Sequence, residues 1–247
     1  MRWRLLKLNW RYAFGELTIV VVGVLIALAV DQWNTDRLAR VEEISIVDRL
    51  IGDLKTDLAA LEFELIALNA KEEGLMRVRS ALLTDGQKSI VDPHAFLRDV
   101  IKGSTFGWNQ VEAQRTTFNE LLGAGKFGLI REPRLREAIG EYYDIDSSWH
   151  QRIDERETEY PHISYRLVPR INEGRGEAEI GNPLDVEPDL DAEEAQRLVG
   201  RIFESELADH VAAEINFARF VRNLAHRHRD RCADLRTQLE AYRDEIN

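Results

Sequence analysis

GELTIVVVGVLIALAVDQWN, Gly15 to Asn34, is the stretch on which the architecture turns. Leu17 to Val30 carries no charge and is built from Val, Ile, Leu, Ala, Thr and Gly. At ~1.5 Å per residue this core alone covers about 21 Å, short of a hydrocarbon layer roughly 30 Å thick. The flanks supply the rest. Trp10, Tyr12 and Phe14 precede the run and Trp33 follows it, as an interfacial aromatic belt does. A helix from Trp10 to Trp33 reaches about 35 Å, enough to cross with Glu16 at headgroup level. A helix buried in a soluble core would show a polar stripe at helical period, and this one shows none. The reading is a transmembrane helix over 15–33.

A cleavable export signal is the alternative, because a basic arm, an apolar centre and the triplet Ala27-Leu28-Ala29 are all present. Against it, Asp31-Gln32-Trp33-Asn34 runs straight into a periodic helix, whereas a cleavage site must be extended to be cut. The favoured reading is an uncleaved signal-anchor. Arg2, Arg4, Lys7 and Arg11 precede the first acid, Glu16. The positive-inside rule then keeps residues 1–14 in the cytoplasm and places 34–247 on the far side, the periplasm of a bacterium.

The chain has 247 residues, room for one domain and an anchor. Its net charge of −11 argues against a nucleic-acid partner. One cysteine, Cys232, rules out an internal disulfide framework.

The anchor region carries a resemblance. Gly15-Glu16-Leu17, the block Val20 to Leu28, and Trp33-Asn34 resemble the opening of a family of bacterial membrane proteins described as a domain of unknown function. Asn119-Glu120-Leu121-Leu122, Gly125-Lys126, Leu129-Ile130, Leu135-Arg136 and Tyr142-Tyr143 are similar to a second stretch of it. Asp31-Gln32 stands where the family usually has Asn-Asn. The resemblance implies a single span and a helical extracytoplasmic part. It brings no activity and no catalytic residue.

Beyond the anchor the pattern is helical throughout, an all-α bundle. Ile44, Val47, Ile51, Leu54, Leu58, Leu61, Leu65 and Leu68 alternate by three and four, a coiled-coil or bundle seam. Asp48, Lys55, Asp57 and Glu62 are assigned to the other faces, and Asp85-Gly86 to the stop. Asp92-Pro93 predicts a short helix to near Lys102. Ser104 to Trp108 reads as a turn, Asn109 to Leu122 as a helix, and Lys126 to Ile130 as an extended piece. Pro133 opens a helix reaching Tyr160, with Leu135, Ile139, Tyr142 and Tyr143 on its apolar face. Asn172 to Asp191 is loop-like, and Asp191 with Glu194 forms a capping box that starts the last helix. His228, Cys232, Leu235, Leu239, Tyr242 and Ile246 give that helix a second seam. It is expected to pack antiparallel to the first, in one bundle.

Candidate chemistry is sparse. His228 and Cys232 share a helix face, as zinc ligands can, but His226 points elsewhere and no further ligand pair is evident. Seam positions are the favoured account, with a disulfide between two copies at Cys232 left open. Arg219, Arg222, Arg227, Arg229, Arg231 and Arg236 could meet anionic lipid, or pair with Asp230, Asp234 and Glu240, which is favoured. Asp154, Glu155 and Glu157 read as a solvated face. Gly123-Ala124-Gly125-Lys126 has the wrong spacing for a phosphate loop and reads as a tight turn. Gly23 and Ala27 form a small-xxx-small pair. The expectation is therefore a non-enzymatic anchored scaffold or interaction module, without cofactor or metal, that contacts the bilayer and a protein partner or its own copy. The alternative is a ligand sensor with a pocket near Trp108, Phe118, Tyr142 and Trp149.

Overall fold

A computed structural model describes residues 10–104, 113–154, 156, 158–168 and 190–247, without the side chains of 10–13, 146–152 and 154. Among them the chain is helical, with no strand. The first helix, α1 (Trp10–Ser80), runs 71 residues without a break, roughly 105 Å at the usual rise. Its lower part projects free of the rest. Leu17, Ile19, Val24, Leu25, Leu28 and Val30 are all exposed, and the most apolar window has mean hydropathy 2.2 with none of it buried. This is the one helix among the described residues long and apolar enough to cross a membrane.

From Glu43 upward one face of α1 turns inward. Ile46, Val47, Leu50, Ile51, Leu54, Leu58, Leu61, Leu65 and Leu68 are buried, so the expected seam is real; Ile44, expected in it, is only half-buried. The helix ends in a widened turn at Ala81–Asp85, where the Gly86 amide donates to Ala81 O at 2.9 Å. Gly86 has φ +76, a conformation that favours glycine.

Helices α2 (Pro93–Ser104), α3 (Thr116–Gly123), α4 (Pro133–Asp154), α5 (Tyr160–Leu167), α6 (Ala192–Phe203) and α7 (Leu207–Ile246) pack around the upper half of α1. Asp92 caps α2 by accepting from the Ala95 amide at 3.0 Å. Asp191 and Glu194 cap α6 reciprocally, as expected. The final helix returns antiparallel to α1. Cys232 faces Leu54, Tyr242 faces Glu43 and Glu214 faces Lys71, so positions rise on one helix as they fall on the other. Both seams share one core, with Ile51 and Leu235 in the same cluster.

Four expected boundaries are corrected. The helix placed over Asn109 to Leu122 begins at Thr116, because the Gln114 amide is taken by Asp57 Oδ1 at 2.9 Å; residues 109–112 lie outside those described. Lys126 to Ile130 is not extended but a short 3-10 turn, Phe127–Leu129. The helix from Pro133 stops at Asp154, and α5 opens at Tyr160 with Pro161 in its first turn, where proline lacks nothing the helix needs. The last helix is two helices. Ser205 donates to Ile202 O at 2.7 Å and accepts from the Leu207 amide at 3.2 Å, closing one helix and opening the next. The turn expected over Ser104 to Trp108 and most of the Asn172 to Asp191 loop lie outside the described residues.

The core is two stacked blocks. The lower one joins α1, α3, α4 and the end of α7; the upper joins α1, α2, α5, α6 and the start of α7. Among the described residues a thin apolar cluster lies between them, Leu65, Leu68, Val221 and Ala225, with Ile153, Phe217 and Phe220 packed against it. In the upper block α2 approaches α1 closely at Gly103. A Cβ there would lie 2.5 Å from Leu75 Cδ2 and 3.0 Å from the Tyr160 hydroxyl, both side chains fully buried. Gly103→Ala is expected to cost about 1–3 kcal/mol by overpacking. Urea titration of the purified chain checks this; an unchanged midpoint contradicts it.

Candidate functional site: a buried polar spine on the first helix

Four buried polar side chains of α1, Glu43, Asp57, Glu64 and Lys71, recur at multiples of seven residues. They share this heptad phase with Leu50 and Val78, beside the leucine seam. Burying such groups costs several kcal/mol unless partners satisfy them, so what each one meets decides its role.

Glu43 is fully buried near the lower end of the bundle. Its Oε1 accepts from the Arg131 amide at 2.8 Å and from the Tyr242 hydroxyl at 2.5 Å, while Arg40 reaches Oε2 at 3.2 Å. One carboxylate thus ties α1 to the start of α4 and the end of α7.

Two turns above Leu50, Asp57 Oδ2 accepts from the Tyr142 hydroxyl at 2.9 Å, and that hydroxyl lies 3.2 Å from His228 Nε2. Asp57, expected on the outer faces, is instead buried. The reason is tertiary: the Tyr142 hydroxyl of α4 and the Gln114 amide, both distant in sequence, find their acceptor in it. Tyr143 stacks on Phe118 with ring centroids 4.2 Å apart, and Arg115 donates to its carbonyl. Burial pushes the Tyr142 phenol far above its ordinary value, with Asp57 adding to the effect.

Cys232 sits in the same layer, its thiol donating to Leu54 O at 3.4 Å. Burial pushes that thiol up to about 11, so it stays protonated at neutral pH and is a poor nucleophile. Facing Leu54 of its own chain, it is out of reach of another copy, which removes the inter-copy disulfide that the sequence left open. Maleimide is expected to label Cys232 at least about tenfold more slowly in the folded chain than in urea. Equal rates contradict the placement. His228 is likewise a buried seam residue, and no group of three or more His, Cys, Asp and Glu among the described residues could hold a metal ion.

The third layer lies between the two core blocks. Lys71 Nζ meets Glu214 Oε1 at 2.5 Å, with both side chains buried. Thr158, in the linker between α4 and α5, donates to Glu214 Oε2. Glu64 is buried in this part of α1, and its Oε1 has no hydrogen-bond partner among the described residues. Burial pushes the Glu64 carboxyl up to about 8, against the pull of Lys71.

The remaining sequence candidates have structural places. Gly125, at φ +64, closes α3, with the Lys126 amide donating to Leu121 O and the Gly125 amide to Leu122 O. That pattern is a glycine helix stop, as expected, and Lys126 reaches Glu42 at 2.6 Å. Arg219 and Arg222 both grip Glu72, and Arg229 pairs with Asp230. Glu72 stands roughly 58 Å up α1 from Trp33, far from any bilayer around the apolar segment. Of the four residues expected around a pocket, Phe118 and Tyr142 are packed in the core. Trp108 and the side chain of Trp149 lie outside the description, as do Glu155 and Glu157 and the side chain of Asp154.

The model of a family of unknown function, DUF6090, matches residues 16–147, more than half the chain. The chain belongs to this family. The match begins at Glu16, in the apolar segment, and ends within α4, so the family region contains the exposed rod, the whole inward seam of α1 and the Asp57–Tyr142 layer. No curated protein matches the chain, and no solved structure does.

Proposed function

We propose that this chain is a membrane-anchored scaffold or protein-interaction module, held by α1 in a bacterial inner membrane with its helical bundle in the periplasm. The observation that carries the reading is the continuity of α1. One unbroken helix passes from a bare apolar segment into the centre of the packed core. An exposed segment of that length is stable only where lipid covers it. The basic residues at 2–11 favour retention of that end in the cytoplasm. The spine supports a rigid role: the Tyr142 and Cys232 groups packed beside it are held protonated, and its Glu43 and Asp57 carboxylates join helices.

The long inward seam is filled by the chain's own α7 and does not remain for a partner, so any interaction uses other faces. The sensor reading keeps less support, since Phe118 and Tyr142 fill core positions rather than line a pocket. Crosslinking of the full chain in its native membranes, followed by mass spectrometry, tests the proposal. Reproducible crosslinks to a protein or to a second copy are expected; a chain that crosslinks to nothing while ligands raise its melting temperature favours the sensor instead.

A further inference from the structure

We infer that the outward face of α1 is a self-association surface, along which a second copy, anchored in the same membrane, lies parallel and in register. The inference rests on the anchored reading above. Four large apolar side chains are exposed on α1 between the apolar segment and residue 70, apart from Trp33 at its edge: Leu38, Val41, Phe63 and Ile66. Leu38 to Phe63 and Val41 to Ile66 are the same step, roughly seven full turns of helix. All four therefore lie within one strip of the outward face, about 80° wide. Ser45, Gly52 and Ala59 fill the interval, and all three are exposed.

The same strip continues downward into the apolar segment. Gly23 lies about five turns below Val41, and Ala27 about three turns below Leu38. Asp48, within the strip, is turned to Arg243; of the charges beside it, Arg49 is turned to Glu120 and Glu42 to Lys126, while Lys55 and Glu62 stand exposed along its other margin. A strip about 65 Å long, whose one charged side chain is the Asp48 turned to Arg243, thus runs up the outer side of the rod.

A second copy is the occupant this strip suits. Identical anchors put identical residues at identical heights and in the same direction, so a twofold axis along the membrane normal brings Ile66 to Ile66 and Leu38 to Leu38. Glycine and alanine between the larger residues let two backbones approach. The extent also fits. One stripe offers each copy roughly half of the ~800 Å² per partner of a standard interface, too little for a firm dimer in solution. Confinement in a bilayer raises the effective concentration and makes such a contact sufficient.

Single cysteines placed in the full chain test this in native membranes under copper–phenanthroline oxidation, with the unaltered chain as background because Cys232 is buried. Leu38→Cys and Ile66→Cys lie on the strip; Asp36→Cys and Asn69→Cys are exposed but face away from it. Disulfides need Cα atoms within ~7 Å, so the first two are expected to give about tenfold more covalent dimer than the others. Adding Ile66→Lys to Leu38→Cys is expected to abolish that dimer, and since Ile66 is 57% exposed the bundle itself is spared. Equal dimer at all four positions overturns the inference, as does none at Leu38 and Ile66. Crosslinks from these positions to a different polypeptide alone also overturn it, while leaving the scaffold reading in place.

Discussion

Replacing Lys71 by methionine is expected to destabilise the bundle by about 3–5 kcal/mol, the usual cost of stripping one partner from a buried ion pair. Lys71 is 5% exposed and its ammonium lies 2.5 Å from Glu214, which is itself fully buried. Methionine fills most of the lysine stem's volume, so packing is largely kept and the loss reports the stranded carboxylate. Thr158 remains as a hydrogen-bond donor to Glu214, which compensates only in part. The double replacement Lys71→Met with Glu214→Met removes both charges and is expected to recover most of the loss. Urea titration of the detergent-solubilised full chain measures all three. A single-variant loss below about 1 kcal/mol, or a double variant no better than the single, shows that the pair is not the clasp between the two core blocks.

The second large effect is pH-dependent and belongs to Glu64. Its carboxyl is raised from 4.5 to about 8, first by burial, with Lys71 pulling the other way. Between those values the folded chain holds a proton that the unfolded chain releases. Its contribution is therefore fully present below about pH 4.5 and is lost as pH rises through about 8. Across that window this group lowers stability with rising pH by up to ~1.4 kcal/mol per pH unit. Glu64→Gln keeps the neutral shape without the proton. The variant is expected to match the parent near pH 4.5 and to exceed it by a few kcal/mol at pH 8, once other groups are cancelled by subtraction. A constant difference between the two from pH 5 to 8 contradicts the burial of this carboxyl.

The sequence carries most of the fold in its apolar spacing. The steps of three and four along α1 and along the second half of α7 predict both inward faces, and the antiparallel pairing follows from the number of passes. Capping was legible too, because Asp92-Pro93 and Asp191 with Glu194 satisfy helix ends locally. The broken helices were not. Ser205 and the Gln114 amide break helices through hydrogen bonds whose use depends on packing, and in the case of Asp57 on a partner far away in the chain.

The polar spine is the harder lesson. An acid at the margin of a leucine seam reads as the edge of the solvated face, and Asp57 and Glu64 are both at that margin. Their common heptad phase with Glu43 and Lys71 is visible in the sequence, yet it becomes meaningful only when Tyr142, Tyr242 and Glu214 arrive from other helices. His228 and Cys232 show the reverse. The residues that looked most like chemistry are seam residues, set one turn apart because α7 presents that face to the core.

Everything about placement depends on α1 entering the bilayer whole. The direct measurement labels spheroplasts with a membrane-impermeant maleimide on a Val91→Cys chain, Val91 being 96% exposed, and weighs the labelled protein from carbonate-washed membranes. The account predicts an intact chain of 28.5 kDa before labelling, held in the membrane pellet and labelled from outside without lysis. A freely soluble chain that starts near Val30, or one labelled only after lysis, contradicts it.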